Sequence, residues 1–240
     1  MLCMVYTMNN DMDLGELEKG LGYSFKDRSL LKLALTHSSY ANELKLNRYG
    51  NYERLEFLGD AVLELTTSWF FYVEYPSKNE GELTRMRSSM VCEMALAYCA
   101  RLIDLPKYIL LGKGEEVTGG RNRDSIISDV YEAVIGAIYL DGGFEEANTF
   151  VRKHVLTDLE NKQLFYDAKT ILQEYVQKNG QTLRYELISE TGPDHDKSFE
   201  VAAYIDDKLR SKGKGKSKKS AEQQSAYAVL IELKKDGKVR

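Results

Sequence analysis

Four carboxylates set within two otherwise apolar helical phrases constrain this chain more than any other feature. Glu56 and Asp60 lie in YERLEFLGDAVL, and Asp129 and Glu132 in SDVYEAVIGAIYLDGG. Spacings of four and three residues put each pair on one helix face, with Cβ atoms roughly 5–6 Å apart. Leu55, Phe57, Leu58, Val62 and Leu65 surround the first pair, and Val130, Val134, Ile135 and Ile138 the second. Glu53 extends the first row by one turn, and Gly59 removes side-chain bulk beside Asp60. A single helical carboxylate is most often a solvated surface group. An ordinary amphipathic helix, however, does not need acids at the edge of its apolar stripe twice over. Two carboxylates about 4 Å apart repel by roughly 4 kcal/mol at an effective dielectric of about 20. A divalent cation removes that repulsion, and hard carboxylate oxygens suit magnesium. The pattern predicts metal-assisted chemistry.

The bulk properties narrow the class. A chain of 240 residues is long enough for one large domain or two ordinary ones. No apolar run approaches a membrane span; the richest, beginning at Trp69, is interrupted by Glu74 and Pro76. The opening MLCMVY is short, lacks a basic leader and runs into Asn9, Asp11 and Asp13, unlike a signal peptide. Cys3, Cys92 and Cys99 form no CxxC and are odd in number, as expected of reduced thiols in a cytoplasmic protein. Charge is unevenly spread. Residues 1–160 carry 17 Lys and Arg against 25 Asp and Glu, whereas residues 161–240 carry 16 against 12. An acidic front half joined to a basic back half suggests a tail that holds a polyanion while the head works on it.

The front half reads as all helix. Asp27 is positioned to cap a helix carrying Leu30, Leu31, Leu33 and Leu35. Long amphipathic stretches are predicted over 53–71 and 80–100, then a flexible loop marked by Gly112, Gly114, Gly119 and Gly120. Helices follow over about 125–140 and 144–159, separated by Asp141-Gly142-Gly143. After Asn161 the pattern changes. Asp167 is expected to cap AKTILQEYVQKN, and two runs then alternate with period two, Tyr185 and Leu187 in the first and Phe199, Val201, Ala203 and Ile205 in the second. A turn at Gly192-Pro193 separates them. A short third strand around Leu209 leads into GKGKSKKS, and Ser217 or Ser220 opens a last helix through Leu233. The predicted organisation is an all-α domain over 1–160 with 1–12 as an extra segment, a linker at 161–166, and an α-β-β-β-α domain over 167–236.

ERLEFLGDAVL resembles the signature phrase of the ribonuclease III family, and DVYEAVIGAIYLDGG its second acidic motif. NEGELTRMR at 79–87, LGKGE at 111–115 and ALTHSSYANE near the start fit the same family in the same order. The resemblance implies a homodimeric endonuclease that cuts double-stranded RNA with magnesium, manganese being a substitute. It maps Glu56, Asp60, Asp129 and Glu132 onto the metal-binding acids, Asp60 and Glu132 onto indispensable catalytic roles, and Glu53, Glu80 and Glu115 onto auxiliary acids. Two metal ions could activate an in-line water and support the leaving 3′ oxygen of a phosphodiester. Helical pattern alone reads Phe57 and Leu58 as core residues, whereas the resemblance puts the signature helix at a two-fold interface. Two dyad-related sites would leave short 3′ overhangs with 5′-phosphate and 3′-hydroxyl ends. Precursor rRNA and structured mRNA are the expected substrates.

The second domain resembles a double-stranded-RNA-binding domain. Its first helix turns Ile171, Leu172, Tyr175 and Val176 inward and leaves Thr170, Gln173, Glu174 and Gln177 outward, where polar groups suit 2′-hydroxyls and base edges of a shallow minor groove. His195, in the turn, matches a loop that enters a second minor groove in such domains. Lys214, Lys216, Lys218 and Lys219 gather where the last helix begins. Cations there oppose the helix macrodipole, so they make sense if a phosphate backbone crosses the helix end. His37 reads as a structural histidine, and Gly112-Lys113-Gly114-Glu115 lacks the spacing of a phosphate loop. An inert RNA-binding protein would not need the complete acid set. A di-iron bundle would need Glu-x-x-His pairs, and neither His37, His154 nor His195 follows a glutamate by three.

Overall fold

The computed structural model describes residues 13–47, 49–192, 197–215 and 217–237; segment 1–12, His195 and Lys216 lie outside the described residues. The front half is helical, as the apolar spacing predicts. Helices α1 (Leu14–Leu21), α2 (Arg28–Ala34) and α3 (Ser38–Glu43) lead into the long α4 (Glu53–Glu74). Asp27 does cap α2, accepting from the Ser29 N–H at 2.9 Å. The centre of the domain is α8 (Asp124–Gly142), whose Ile127, Val130, Tyr131, Val134, Ile135 and Ile138 are fully buried. A helix apolar on nearly every side can exist in water only as the axis around which others pack.

Four boundaries differ from the sequence expectation, each for a packing reason. The stretch 80–100 is two helices, α5 (Glu80–Val91) and α6 (Glu93–Leu102), broken at Cys92 in extended conformation. The break lets α5 pack on α4 while α6 packs on α8, burying Met86 and Met90 from one and Leu96 and Ala97 from the other. The glycine-marked loop contains a short helix, α7 (Lys113–Val117), fixed where Gly112 N–H donates to Ser39 Oγ and Lys113 N–H to Glu43 Oε2. Helix α9 spans only Phe144–His154, and its final His154 Nε2 lies 2.9 Å from the Leu21 carbonyl oxygen. The segment 161–166, expected as a linker, falls in α10 (Leu159–Tyr166). The Lys162 Nζ donates to the Val155 carbonyl at 2.7 Å, tying α10 back to the end of α9.

The back half is α11 (Ala168–Lys178), an antiparallel sheet of β1 (Leu183–Thr191), β2 (Ser198–Ile205) and β3 (Lys208–Gly215), and α12 (Lys218–Lys235). Both helices cover one sheet face around Leu172, Val176, Ala203, Ile205, Val229 and Leu230. Helix α12 lies directly on β3, since a Cβ on Gly213 would stand 2.3 Å from the Ala221 carbonyl oxygen. Strict alternation fails at two positions. Leu187 is exposed at a bulge between Leu187 and Ser189. Ala202 is buried although its neighbours Val201 and Ala203 are too, because β2 is central and Ala202 sits between Glu186 and Lys212 on the flanking strands. Asp167 is the residue before α11 but makes no side-chain cap bond; it pairs instead with Arg85 of α5 at 3.7 Å. The cysteines Cys92 and Cys99 are free thiols. Among the described residues no helix is long and apolar enough to cross a membrane.

Candidate active site

Two glycines bring the acids together. A Cβ on Gly59 would lie 1.8 Å from the Glu132 carbonyl oxygen, and one on Gly136 would lie 2.2 Å from that of Leu55. The backbones of α4 and α8 therefore touch, closer than any side chain permits. Glu56 and Asp60 on α4 bracket the contact, and Asp129 and Glu132 approach it along α8. Glu132 is the most affected: burial first, then the charges of Asp60, Asp129 and Glu56, push its carboxyl up to about 8. Glu56 is pushed up to about 7 by burial, then by Asp129, Glu53 and Asp60. Asp129 is raised by burial, with the Tyr52 hydroxyl opposing the shift. All four predicted ligands thus belong to one electrostatic unit.

The unit suits a hard divalent cation. Glu56 and Glu132, raised by burial and then by the neighbouring acids, mark a site in which positive charge is missing. The four acids do not close into a cage: among the described residues no three acid, histidine or cysteine side chains converge tightly enough to hold an ion by themselves.

The auxiliary acids are placed unequally. Glu53 is one of the charges acting on Glu56. Glu115 lies on α7, 2.8 Å from Arg123, and its charge reaches His37. Glu80 sits in the exposed first turn of α5, where it accepts from the Thr84 hydroxyl at 3.0 Å. His37 is structural as expected, its Nδ1 accepting from the Ser39 N–H to cap α3.

Three residues of the site were not singled out from sequence. Tyr52 directs its hydroxyl at Asp129 Oδ2. Glu64 adds charge to Glu132 and is paired with Arg87 at 2.8 Å. Glu93, raised by burial and then by Asp124 and Asp129, adds another carboxyl nearby. Glu64 was within reach, since it continues the row Glu53, Glu56, Asp60 by one more turn. Tyr52 and Glu93 were not, because their neighbours come from distant sequence.

Outside this unit, the surface of α4 corrects the core expectation for the signature helix. Phe57 is 80% exposed and Leu65 58%. At 100° per residue they share one side of α4 with Trp69 and Tyr72, both also exposed. A contiguous apolar stripe of this kind marks an interaction surface. In the back domain, Thr170, Gln173, Glu174 and Gln177 are exposed on α11. Lys218 and Lys219 are exposed in the first turn of α12, behind the Ser217 cap, whose hydroxyl oxygen accepts from the Ser220 N–H. Lys214 is also exposed, but it lies on β3 opposite Glu200 rather than at the helix end.

Residues 27–159 match the family model described as ribonuclease-III-like, and residues 168–233 match the double-stranded RNA binding motif. The chain is 43% identical over 221 residues to ribonuclease 3 of Listeria welshimeri, covering 91% of this chain and 96% of that protein. It is 46% identical over 220 residues to ribonuclease 3 of Streptococcus equi subsp. zooepidemicus, covering 90% and 96%. Among solved structures it is similar to the nuclease domain of ribonuclease III from Campylobacter jejuni, with a TM-score of 0.56 and 42% identity over 59% of this chain and 95% of that one. That structure is described for flexibility in a region involved in dimer formation. With such identity sustained through both halves, the chain belongs to the ribonuclease III family, and it is an endoribonuclease.

Proposed function

We infer that this endoribonuclease hydrolyses both strands of double-stranded RNA with magnesium, leaving 5′-phosphate and 3′-hydroxyl ends and short 3′ overhangs. The observation that carries the reading is the Gly59–Gly136 crossing, which assembles Glu56, Asp60, Asp129 and Glu132 in a chain that also matches a double-stranded RNA binding motif. These four carboxylates would hold the cation, directly or through water, and manganese would substitute. Bound magnesium supplies a water of lowered pKa and neutralises charge developing on the phosphoryl oxygens. Glu132, pushed up to about 8 by burial and the neighbouring acids, would hold the cation as the carboxylate and release any proton it carries. Asp60 and Glu132 carry the indispensable roles, and Glu53, Glu80 and Glu115 act as auxiliary acids toward site and substrate.

Two copies joined through the apolar stripe of α4 would present two such sites to opposite strands, which accounts for a staggered cut. Thr170, Gln173 and Glu174 would meet the minor groove, with Lys214, Lys218 and Lys219 near phosphate; His195 and Lys216 join them on sequence grounds. Shape recognition over about 16 base pairs would supply affinity without sequence preference. Precursor rRNA and structured mRNA in the cytoplasm are the substrates of this reading.

End-labelled duplex incubated with and without magnesium tests it. Paired cuts offset between strands, appearing only with the cation and ending in 5′-phosphate, are expected. Cleavage that persists in a chelator would refute the metal assignment, and blunt products would refute the paired-site geometry.

A further inference from the structure

Tyr52 stands at the entrance of α4, four residues before Glu56 and eight before Asp60, and so shares their helix face. Three elements immobilise it. Its side chain is 5% exposed. Its backbone N–H donates to the Thr36 carbonyl at 2.9 Å, and its ring lies 5.7 Å from that of His37, itself fixed at the start of α3. The hydroxyl spans the gap to α8 and meets Asp129 Oδ2 at 3.4 Å. A phenol can meet an ionised carboxylate only by donating. The contact is long for an O–H···O bond, so its share of folding stability is small. Its consequence is directional: it occupies one oxygen of a carboxylate that otherwise faces the like charge of Glu56.

We propose that Tyr52 is a positioning residue for the cation site, its hydroxyl holding Asp129 Oδ2 so that the other oxygen is presented to the divalent ion. The inference rests on the cation-site reading above. It treats the Tyr52 hydroxyl as an outer partner of a ligand, a class of contact whose removal typically costs 10–100-fold in metal affinity. Phenylalanine at 52 keeps the ring packing and removes only the hydroxyl, leaving Asp129 to the Ser128 hydroxyl beside it on the same helix and without its tie to α4. Neither substrate nor water need touch Tyr52 for this role.

The test is manganese binding to the full chain without RNA, followed by calorimetry or by the paramagnetic signal of the free ion, for wild type, Tyr52→Phe, Asp129→Asn and the double variant. Tyr52→Phe is expected to bind manganese about 10-fold more weakly with an unchanged melting temperature. It should also need correspondingly more magnesium for half-maximal cleavage, with the rate restored at saturating magnesium. In the Asp129→Asn background the second substitution should add nothing, since the partner it orients is already altered. Wild-type affinity in Tyr52→Phe overturns the proposal, as does an equal loss in both backgrounds. A lowered melting temperature with unchanged affinity assigns Tyr52 to packing and also overturns it. If wild type itself binds no manganese, or Asp129→Asn binds as well as wild type, the cation site fails and the Tyr52 role falls with it.

Discussion

Gly59 lies so close to the Glu132 carbonyl oxygen that a single methyl group would stand 1.8 Å from it. The contact joins the helix bearing Glu56 and Asp60 to the helix bearing Asp129 and Glu132. The site therefore depends on an absence of side chain as much as on the acids themselves. Gly59→Ala must separate the helices, at a cost of about 3 kcal/mol or more, the upper end for overpacking a core. Urea denaturation should show a lowered midpoint, and manganese affinity should fall even though every acid is intact. A variant as stable as wild type would mean that α4 and α8 can part without cost.

Glu132 couples stability to pH. Its carboxyl ionises near 4.5 when unperturbed and is pushed up to about 8 in the fold. Between those values the folded state binds more protons than the unfolded state, so stability falls as pH rises through the window and is fully retained only below it. Glu56, pushed up to about 7, acts in the same direction. Metal-free Glu132→Gln should accordingly melt higher than wild type at pH 8, by roughly 2–4 °C for each kcal/mol relieved, with the difference shrinking toward pH 5. Added magnesium should raise the wild type and not the variant. Equal melting temperatures across that range would contradict the electrostatic account.

Activity and binding should separate. Asp60→Asn or Glu132→Gln should abolish cleavage while duplex affinity stays within about twofold, because the groups proposed to grip RNA lie on other elements. Gel-shift titration in a chelator, beside a cleavage assay, checks both. A large loss of affinity would make these acids part of the RNA-holding surface instead.

Lys218 and Lys219 sit where the dipole of α12 disfavours positive charge. Replacing both with Ala should leave the domain as stable as before or slightly more so. The same change should weaken duplex binding and flatten its salt dependence by up to about two in the logarithmic slope. An unchanged slope would remove both lysines from the phosphate contacts.

Phe57 belongs to a stripe with Leu65 and Trp69 that one copy of the chain leaves exposed. Phe57→Glu should shift the protein toward monomer in sedimentation velocity, with loss of paired cuts and survival of the folded monomer. A dimer unaffected by that charge would place the interface elsewhere.

Sequence alone determined the helical front half, the α-β-β-β-α order of the back half, and the acid rows, but not the short helices α7 and α10. These follow from local rules: helical spacing aligns Glu53, Glu56 and Asp60 whatever surrounds them, and Asp27 caps α2 because its side chain can reach the next turn unaided. Period two marks β2 because successive side chains point to opposite faces of the sheet, although Ala202 is buried along with Val201 and Ala203. What depends on distant partners was decided only by tertiary structure. Phe57 has the hydropathy of a core residue, and only the packing of α4 on α8 reveals that its side of the helix is left uncovered. The break at Cys92 has no glycine or proline to announce it; it arises because the two halves of that stretch bury against different helices. Asp167 exchanges its expected cap for an ion pair with Arg85, 82 positions earlier in the chain. Tyr52 and Asp129, 77 residues apart, become neighbours because two glycines allow two backbones to meet. Helix periodicity reports which residues share a face, but the choice of what that face meets belongs to the packing of the whole domain.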